Sequence, residues 1–120
     1  LRTNLESIYS LGDCAEVDGL VLPYVIPLMN SARSLAKTLS GDATQVSYPA
    51  MPVVVKTPAH PIVVSPPAVD QKGEWRIEEN IDGVMACFYA EDERLLGFAL
   101  TGRRVSEKQR LSKLVPPVLP

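Results

Sequence analysis

The pattern of apolar and polar positions in the first third of the chain predicts one strand and one helix. The apolar run Ile8–Leu11 ends at a Gly-Asp pair and predicts a buried strand that runs into a loop. Apolar side chains then recur every three or four positions and predict an amphipathic helix over 27–40. Pro27 suits its first turn, and Gly41 suits a left-handed cap at its end.

The remaining chain shows mostly short β-forming and apolar runs that are typical of strands, with alternation in 74–79. Six of the 11 prolines fall between residues 49 and 67, where they separate the runs Val53–Val55 and Ile62–Val64. Proline cannot donate to a ladder, so we expect these runs to be short or edge strands. Three clearer strands are expected to form an antiparallel meander, at 74–79, 84–89 and 95–101.

The end of the chain completes the expected fold class, which is α+β. A final apolar pattern predicts a short closing helix over 104–114, and the proline-rich residues after it are expected to be frayed. The elements divide near residue 45, so that a strand-loop-helix piece precedes a small domain with an antiparallel sheet and a closing helix.

Composition narrows the class of protein without identifying it. The chain has 120 residues, 46% of them hydrophobic and 22% charged, with a net charge of −2, which is typical of globular chains. This charge argues against nucleic-acid binding, and no apolar stretch is long enough for a transmembrane helix. The two cysteines, Cys14 and Cys87, form no CxxC, which favours free thiols in a reducing, cytoplasmic location. With one histidine, His60, no metal site is expected.

The sharpest local signal is the pair Gly12-Asp13 at the end of the first predicted strand. A glycine lets a ligand approach the backbone closely, and the carboxylate that follows can accept hydrogen bonds from the hydroxyl groups of a ribose or polyol. The helix that follows offers free N–H groups to an electron-rich group. The dipeptide alone favours an ordinary turn from strand to loop, since Gly-Asp is common in turns.

The wider pattern resembles the second FAD-binding motif of the pyridine-nucleotide-dependent flavoprotein reductases. That motif is T-x-x-x-x-[IVL]-[YF]-A-x-G-D, and residues 3–13 match it except that Ser10 replaces the usual alanine. Further segments resemble the rubredoxin–NAD(+) reductase family. They include Gly12–Gly19, Val55–Pro58, Ile62–Pro67 and Gly97–Gly102.

The resemblance implies a flavoprotein with two dinucleotide-binding domains and a C-terminal interface domain. Residues 1–44 would be the C-terminal segment of the FAD-binding domain, and 45–120 the interface domain of the rubredoxin reductase type. The chain begins at Leu1 rather than Met and lacks GxGxxG, so we expect a fragment whose remaining flavin site and NAD(P)H site lie upstream.

The resemblance also implies four cofactor-binding residues and no catalytic one. Asp13 would hold the ribityl chain of FAD, and Gly12 would let the flavin approach. Val25 would meet the pyrimidine side of the isoalloxazine through its backbone. Lys56 would lie beside the flavin and stabilise negative charge there. Without the family, the favoured interpretation is a solvated lysine at a strand end.

The implied parent enzyme passes electrons from NAD(P)H through FAD to rubredoxin, an acidic iron protein, and the fragment alone is expected to be inactive. One alternative is a reductase of flavorubredoxin in nitric oxide detoxification. Another is a flavin-free fragment that associates into a homodimer through the unpaired edge of Ile8–Leu11.

Charge is distributed unevenly along the chain. Residues 70–93 carry eight acids and two bases, whereas residues 101–120 carry five bases and one acid. A basic face near the end of the chain could steer an acidic partner, and the alternative is a helix with ordinary solvated charges.

Overall fold

A computed structural model of the protein describes all 120 residues, Leu1–Pro120. The chain forms two compact units. The first unit comprises Leu1–Pro49 together with Leu119–Pro120, and the second comprises Ala50–Val118. Each unit is described by itself below.

The first unit is built around one helix, α1, which spans Val25–Leu39. Gly41 has a φ of 102°, and the N–H groups of Gly41 and Asp42 donate to the carbonyl oxygens of Thr38 and Lys37 at 3.1 and 3.0 Å. This is a Schellman cap, in which a left-handed glycine lets the last helical carbonyls find donors. The predicted helix and its glycine cap are therefore confirmed, with the helix beginning two residues earlier than expected.

The segment Ile8–Leu11 is not a strand, so that prediction is wrong. Tyr9 forms only an isolated bridge with Arg2, and the Ile8 side chain is 49% exposed. The Thr3 N–H donates to the Ile8 oxygen at 2.9 Å, and the Ser10 N–H donates to the Leu1 oxygen at 3.0 Å. A strand needs neighbouring strands, and within this chain the segment pairs only with the few residues before it.

The second unit contains a five-stranded sheet in the order β1-β2-β5-β4-β3, in which every neighbouring pair is antiparallel. The predicted meander is confirmed, and Pro-flanked β1 is an edge strand as expected, whereas β2 lies between β1 and β5. The strand bounds are β1 Val53–Val55, β2 Ile62–Ser65, β3 Glu74–Asn80, β4 Gly83–Tyr89 and β5 Leu95–Thr101.

The core lies on one face of this sheet. The register places Val63, Leu100 and Met85 side by side across three strands, with Phe98 and Cys87 in the next row. Phe98 and Leu100 are 0% exposed, and the core is closed by Leu111 and Val115. The closing segment therefore covers this face of the sheet and excludes water from it.

The two edge strands are exposed along their whole length. All three residues of β1 and all seven of β3 are exposed. Trp75 on β3 is 46% exposed, and its ring packs at a tilt of 59° against the Phe88 ring, with 5.2 Å between the ring centres, in agreement with a partly covered position.

The closing segment differs from the single helix that the pattern predicts. A 3-10 helix spans Gly102–Glu107, and a short helix, α2, spans Lys108–Ser112. Gly102 has a φ of 59°, which turns the chain directly from β5 into helical structure and starts the segment two residues early.

The end of the chain is tied down rather than frayed, so the expectation of fraying is wrong. The Tyr48 N–H donates to the Leu119 oxygen at 2.7 Å, and the Leu119 N–H donates back to the Tyr48 oxygen at 3.0 Å. Because both backbone groups of Leu119 are hydrogen-bonded, this bridge anchors the last residues within the first unit.

Candidate functional site

Gly12 and Asp13 form a backbone turn that leaves the carboxylate free. Gly12 has a φ of 87°, and a Cβ at this position would lie 3.4 Å from Cδ1 of Leu28 on α1. Glycine is favoured here by the left-handed backbone conformation, because a Cβ would make only an ordinary contact with Leu28. Asp13 is exposed and makes no side-chain hydrogen bond or ion pair in the structure. Its two oxygens are available to accept hydrogen bonds from a ligand.

The Gly12 loop is held against α1 by close packing. A cavity of only about 10 Å³ remains between them, lined by residues that include Gly12, Pro27 and Ser31. Such a volume holds at most about one water molecule, so the loop is packed rather than open on this side. The buried Ser31 Oγ and the Tyr48 hydroxyl are 2.7 Å apart and fix the helix to the segment that follows it.

Val25 is the first residue of α1, and the helix start is uncapped. Tyr24 before it is extended, with φ −148° and ψ 167°, and its side chain makes no capping hydrogen bond. No acidic residue lies in the first turn, and the Val25 side chain is 69% exposed. The first N–H groups of a helix have no partner within the helix, so this end favours an electron-rich group.

Lys56 lies in the second unit, directly after β1, in the connection to β2. It is exposed and has no ion-pair partner. A turn follows it, in which the His60 N–H donates to the Thr57 oxygen at 3.1 Å and the Thr57 hydroxyl donates to the His60 oxygen. Of the four predicted cofactor contacts, Gly12, Asp13 and Val25 thus belong to the first unit and Lys56 to the second.

The basic end of the chain is largely paired with acids. The guanidinium of Arg104 is 3.1 Å from the Glu78 carboxylate, and that of Arg103 is 3.6 Å from Asp82. Arg110 pairs with Glu107 at 2.6 Å. The acidic middle and the basic end of the sequence therefore offset each other within the second unit, and the bases do not form one continuous unpaired face.

A second charged cluster lies where β3 begins. Arg76 contacts Glu74 at 2.8 Å and Glu93 at 2.6 Å, and its guanidinium lies 4.8 Å from the centre of the Tyr89 ring. The hydrogen bond from Arg76 lowers the pKa of Glu93, so this carboxylate stays charged to lower pH. The cluster joins β3 to the turn between β4 and β5, and we assign it a structural role.

The cysteines and the histidine form no reactive group. Cys87 is buried at 5% exposure, and burial raises the pKa of its thiol, which keeps it protonated. Cys14 is exposed, with Sγ 3.5 Å from the Ser10 hydroxyl, and both cysteines are free. No group of three or more His, Cys, Asp or Glu side chains is placed to hold a metal ion.

The sequence did not indicate which segments lie at the same end of the sheet as the connection that contains Lys56. The Arg103 N–H donates to the Asp82 carbonyl oxygen at 2.8 Å, and the Gly102 N–H donates to the Pro61 carbonyl oxygen at 2.9 Å. Ile81 and Asp82 form the turn between β3 and β4, since Asn80 pairs with Gly83. Its position at the same end of the sheet as Lys56 depends on the strand order.

The fold and site define a small α+β unit with one helix-covered sheet face, preceded by a glycine-aspartate loop and an uncapped helix. Residues 45–115 match the family described as rubredoxin binding C-terminal domain, and the chain belongs to this family. None of its helices combines the length and the apolar character needed to cross a membrane.

Curated relatives extend the similarity across the whole chain. A rubredoxin-NAD(+) reductase of Alcanivorax borkumensis is 57% identical over 120 residues, which cover 100% of this chain and 31% of that protein. The rubredoxin-NAD(+) reductase of Acinetobacter baylyi is 55% identical over 122 residues, which cover 100% of this chain and 31% of that protein. A nitric oxide reductase FlRd-NAD(+) reductase of Aliivibrio fischeri is 41% identical over 105 residues, which cover 88% of this chain and 28% of that protein. The chain therefore spans about a third of the length of these relatives.

Proposed function

We propose that this chain is the C-terminal part of an FAD-dependent reductase that passes electrons from NAD(P)H to rubredoxin. The observation that carries the proposal is 57% identity over the whole chain to a protein named rubredoxin-NAD(+) reductase. The match of residues 45–115 to a rubredoxin binding domain supports the same acceptor. On this proposal residues 1–44 complete an FAD-binding domain, 45–120 form the interface domain, and the two free thiols suit a cytoplasmic location.

The first unit offers groups that fit FAD. The unpaired Asp13 carboxylate would accept hydrogen bonds from hydroxyl groups of the ribityl chain, and Gly12 keeps the neighbouring backbone free of a side chain. The uncapped start of α1 at Val25 would present N–H groups to the electron-rich pyrimidine edge. When bound, FAD supplies the conversion of two-electron hydride chemistry into single-electron transfer.

Lys56 would act on the flavin by its charge. Its ammonium has no carboxylate partner in the chain, so its charge is not offset locally. A cation beside a site where negative charge develops stabilises that charge, and more strongly when water is excluded. This role does not require Lys56 to exchange a proton.

A direct test is the purified full-length protein. We expect a yellow chromophore at about one FAD per chain and reduction of rubredoxin that depends on NADH or NADPH. A protein without bound flavin, or one that oxidises NAD(P)H without reducing rubredoxin, would contradict the proposal.

Parallel assays with flavorubredoxin separate the closest alternative, a reductase of the nitric oxide detoxification type. The identities of 57% and 55% to rubredoxin reductases, against 41% for the FlRd reductase, favour rubredoxin. Higher kcat/KM for flavorubredoxin than for rubredoxin would reverse this preference.

Replacing Lys56 with methionine in the full-length protein is expected to slow flavin reduction or acceptor turnover roughly tenfold, since a nearby positive charge is lost. Rapid-mixing absorbance would measure both half-reactions. The matched control is Lys72→Met, an exposed lysine before β3, at the other end of the sheet. Equal rates in Lys56→Met and the wild type would remove Lys56 from the flavin site.

A further inference from the structure

Tyr48 is buried in the first unit, at 3% exposure, although it lies in a segment that forms neither a helix nor a named strand. Its backbone is held by the last residues of the chain. The Tyr48 N–H donates to the Leu119 oxygen at 2.7 Å, and the Leu119 N–H donates to the Tyr48 oxygen at 3.0 Å. Both backbone polar groups of Tyr48 are therefore satisfied, and this pairing fixes the point from which its side chain extends.

The Tyr48 hydroxyl group reaches the buried face of α1. Its oxygen is 2.7 Å from Oγ of Ser31, and both residues are buried. Ser31 lies one helical turn after Pro27, the other buried residue of α1, on the same face. A hydrogen bond that is shielded from water is stronger than one at the surface. This contact therefore holds α1 at a point about 9 Å along the helix axis from its first residue, Val25.

The same side chain lines the narrow space between α1 and the Gly12 loop. That space has a volume of about 10 Å³, and its lining includes Gly12, Leu28, Ser31 and Tyr48. Because the space is nearly filled, α1 cannot shift toward the loop without displacing the groups that line it. Tyr48 therefore meets both elements that carry the groups proposed to contact FAD in this unit.

We propose that Tyr48 is a positioning residue of the flavin site, which sets the separation between Asp13 and the first N–H groups of α1. The inference rests on the proposed function and adds to it a residue that touches neither the substrate nor FAD. Asp13 would hold the ribityl chain and the helix start the pyrimidine edge, so one bound molecule contacts both groups only when their separation is correct. The hydrogen bond from Tyr48 to Ser31 fixes that separation before FAD binds.

A second hydroxyl group anchors the opposite end of α1 and provides the contrast. The Thr38 hydroxyl donates to the Ser34 oxygen at 3.1 Å, and the Thr44 N–H donates to the Thr38 hydroxyl oxygen at 3.1 Å. Thr38 lies about 20 Å along the helix axis from Val25. Loss of this anchor loosens the end of α1 that is far from the Gly12 loop, whereas loss of the Tyr48 contact loosens the part beside it.

The test is Tyr48→Phe in the purified full-length protein. The Ser31 hydroxyl can then donate to the Pro27 carbonyl oxygen one turn earlier, so the variant leaves no buried donor without a partner. Titration of the apoprotein with FAD is expected to show a dissociation constant roughly 3- to 10-fold higher. With all sites filled, the reduction potential of the bound flavin is expected to fall by about 10–30 mV, which for a two-electron couple is a roughly 2- to 10-fold loss of preference for the reduced form. Reduced flavin is the more electron-rich form, and a displaced helix start stabilises it less.

The matched control is Thr38→Val, which removes a hydroxyl group from the same helix and is expected to leave the flavin potential at the wild-type value. Combining Ser31→Ala with Tyr48→Phe removes both partners of the contact and is expected to give the same potential as Tyr48→Phe alone. The combined variant also replaces Tyr48→Phe if that protein does not fold.

Three results would overturn the positioning role and leave the proposed function intact. They are a wild-type potential in Tyr48→Phe or in the combined variant, a higher dissociation constant without a change in potential, and an equal shift in Thr38→Val. The second result would show that Tyr48 contributes only to the stability of the first unit. A wild-type protein that binds no FAD would overturn both the positioning role and the proposed function.

Discussion

Replacing Asp13 with alanine in the full-length protein is expected to weaken FAD retention roughly 10- to 150-fold. A hydrogen bond to a charged group contributes about 1.5–3 kcal/mol, and the variant removes the acceptor for the ribityl hydroxyl groups. Since Asp13 is exposed and has no partner within the chain, its loss should leave the first unit folded. Flavin absorbance after gel filtration, followed by titration of the apoprotein with FAD, would measure the effect.

The matched control for Asp13 is Glu16→Ala, which removes another exposed carboxylate from the same loop. It is expected to retain FAD as the wild type does, because the family motif places no cofactor contact there. Wild-type flavin content in Asp13→Ala, or equal losses in both variants, would remove Asp13 from the proposed cofactor site. Equal losses would point instead to a general effect of negative charge in this loop.

Replacing Leu100 with alanine is expected to lower the free energy of unfolding of the second unit by about 2–5 kcal/mol. Leu100 is 0% exposed and lies between Val63 and Met85 in the register, so truncation leaves a cavity that three strands enclose. A domain of this size has about 5–15 kcal/mol of stability in total, so the change removes a large share.

Urea denaturation of the 120-residue chain, followed by fluorescence of its single tryptophan, would measure this change. Trp75 lies on edge strand β3, and its ring centre is 5.2 Å from that of Phe88 on β4, so its emission reports on the sheet. The control is Leu114→Ala, at a leucine that is 57% exposed and has little contact area to lose. An equal midpoint shift in the two variants would show that Leu100 does not lie in the closed core.

The antiparallel meander and α1 were predictable because their causes are local. Period-two alternation in 74–79, the short apolar runs at 84–89 and 95–101, and the three-to-four-residue spacing before Gly41 follow from the geometry of strands and a helix. The Schellman cap depends on one glycine, and the shortness of β1 and β2 on the prolines that flank them. These features need no information about distant residues.

The predictions that are wrong concern segments whose structure depends on residues distant in the sequence. Ile8–Leu11 has the composition of a strand, but a ladder needs partners, and the chain provides only the residues just before it. The final residues look like a frayed end by composition, yet Leu119 pairs with Tyr48, 71 positions earlier in the sequence. A local pattern contains no information on either partner.

The sequence by itself determined the family and the types of most elements. The residues that would contact FAD are proposed from the family resemblance. The tertiary structure decided which oppositely charged side chains form ion pairs. The acidic middle and the basic end appear as separate blocks along the chain, but β3 and the segment after β5 bring Glu78 to Arg104 and Asp82 to Arg103. The strand order also places Ile81 and Arg103 at the end of the sheet where the chain leaves β1 at Lys56. Hydrophobic burial sets that order across the whole sheet, so the composition of the surface at either end is a property of the fold.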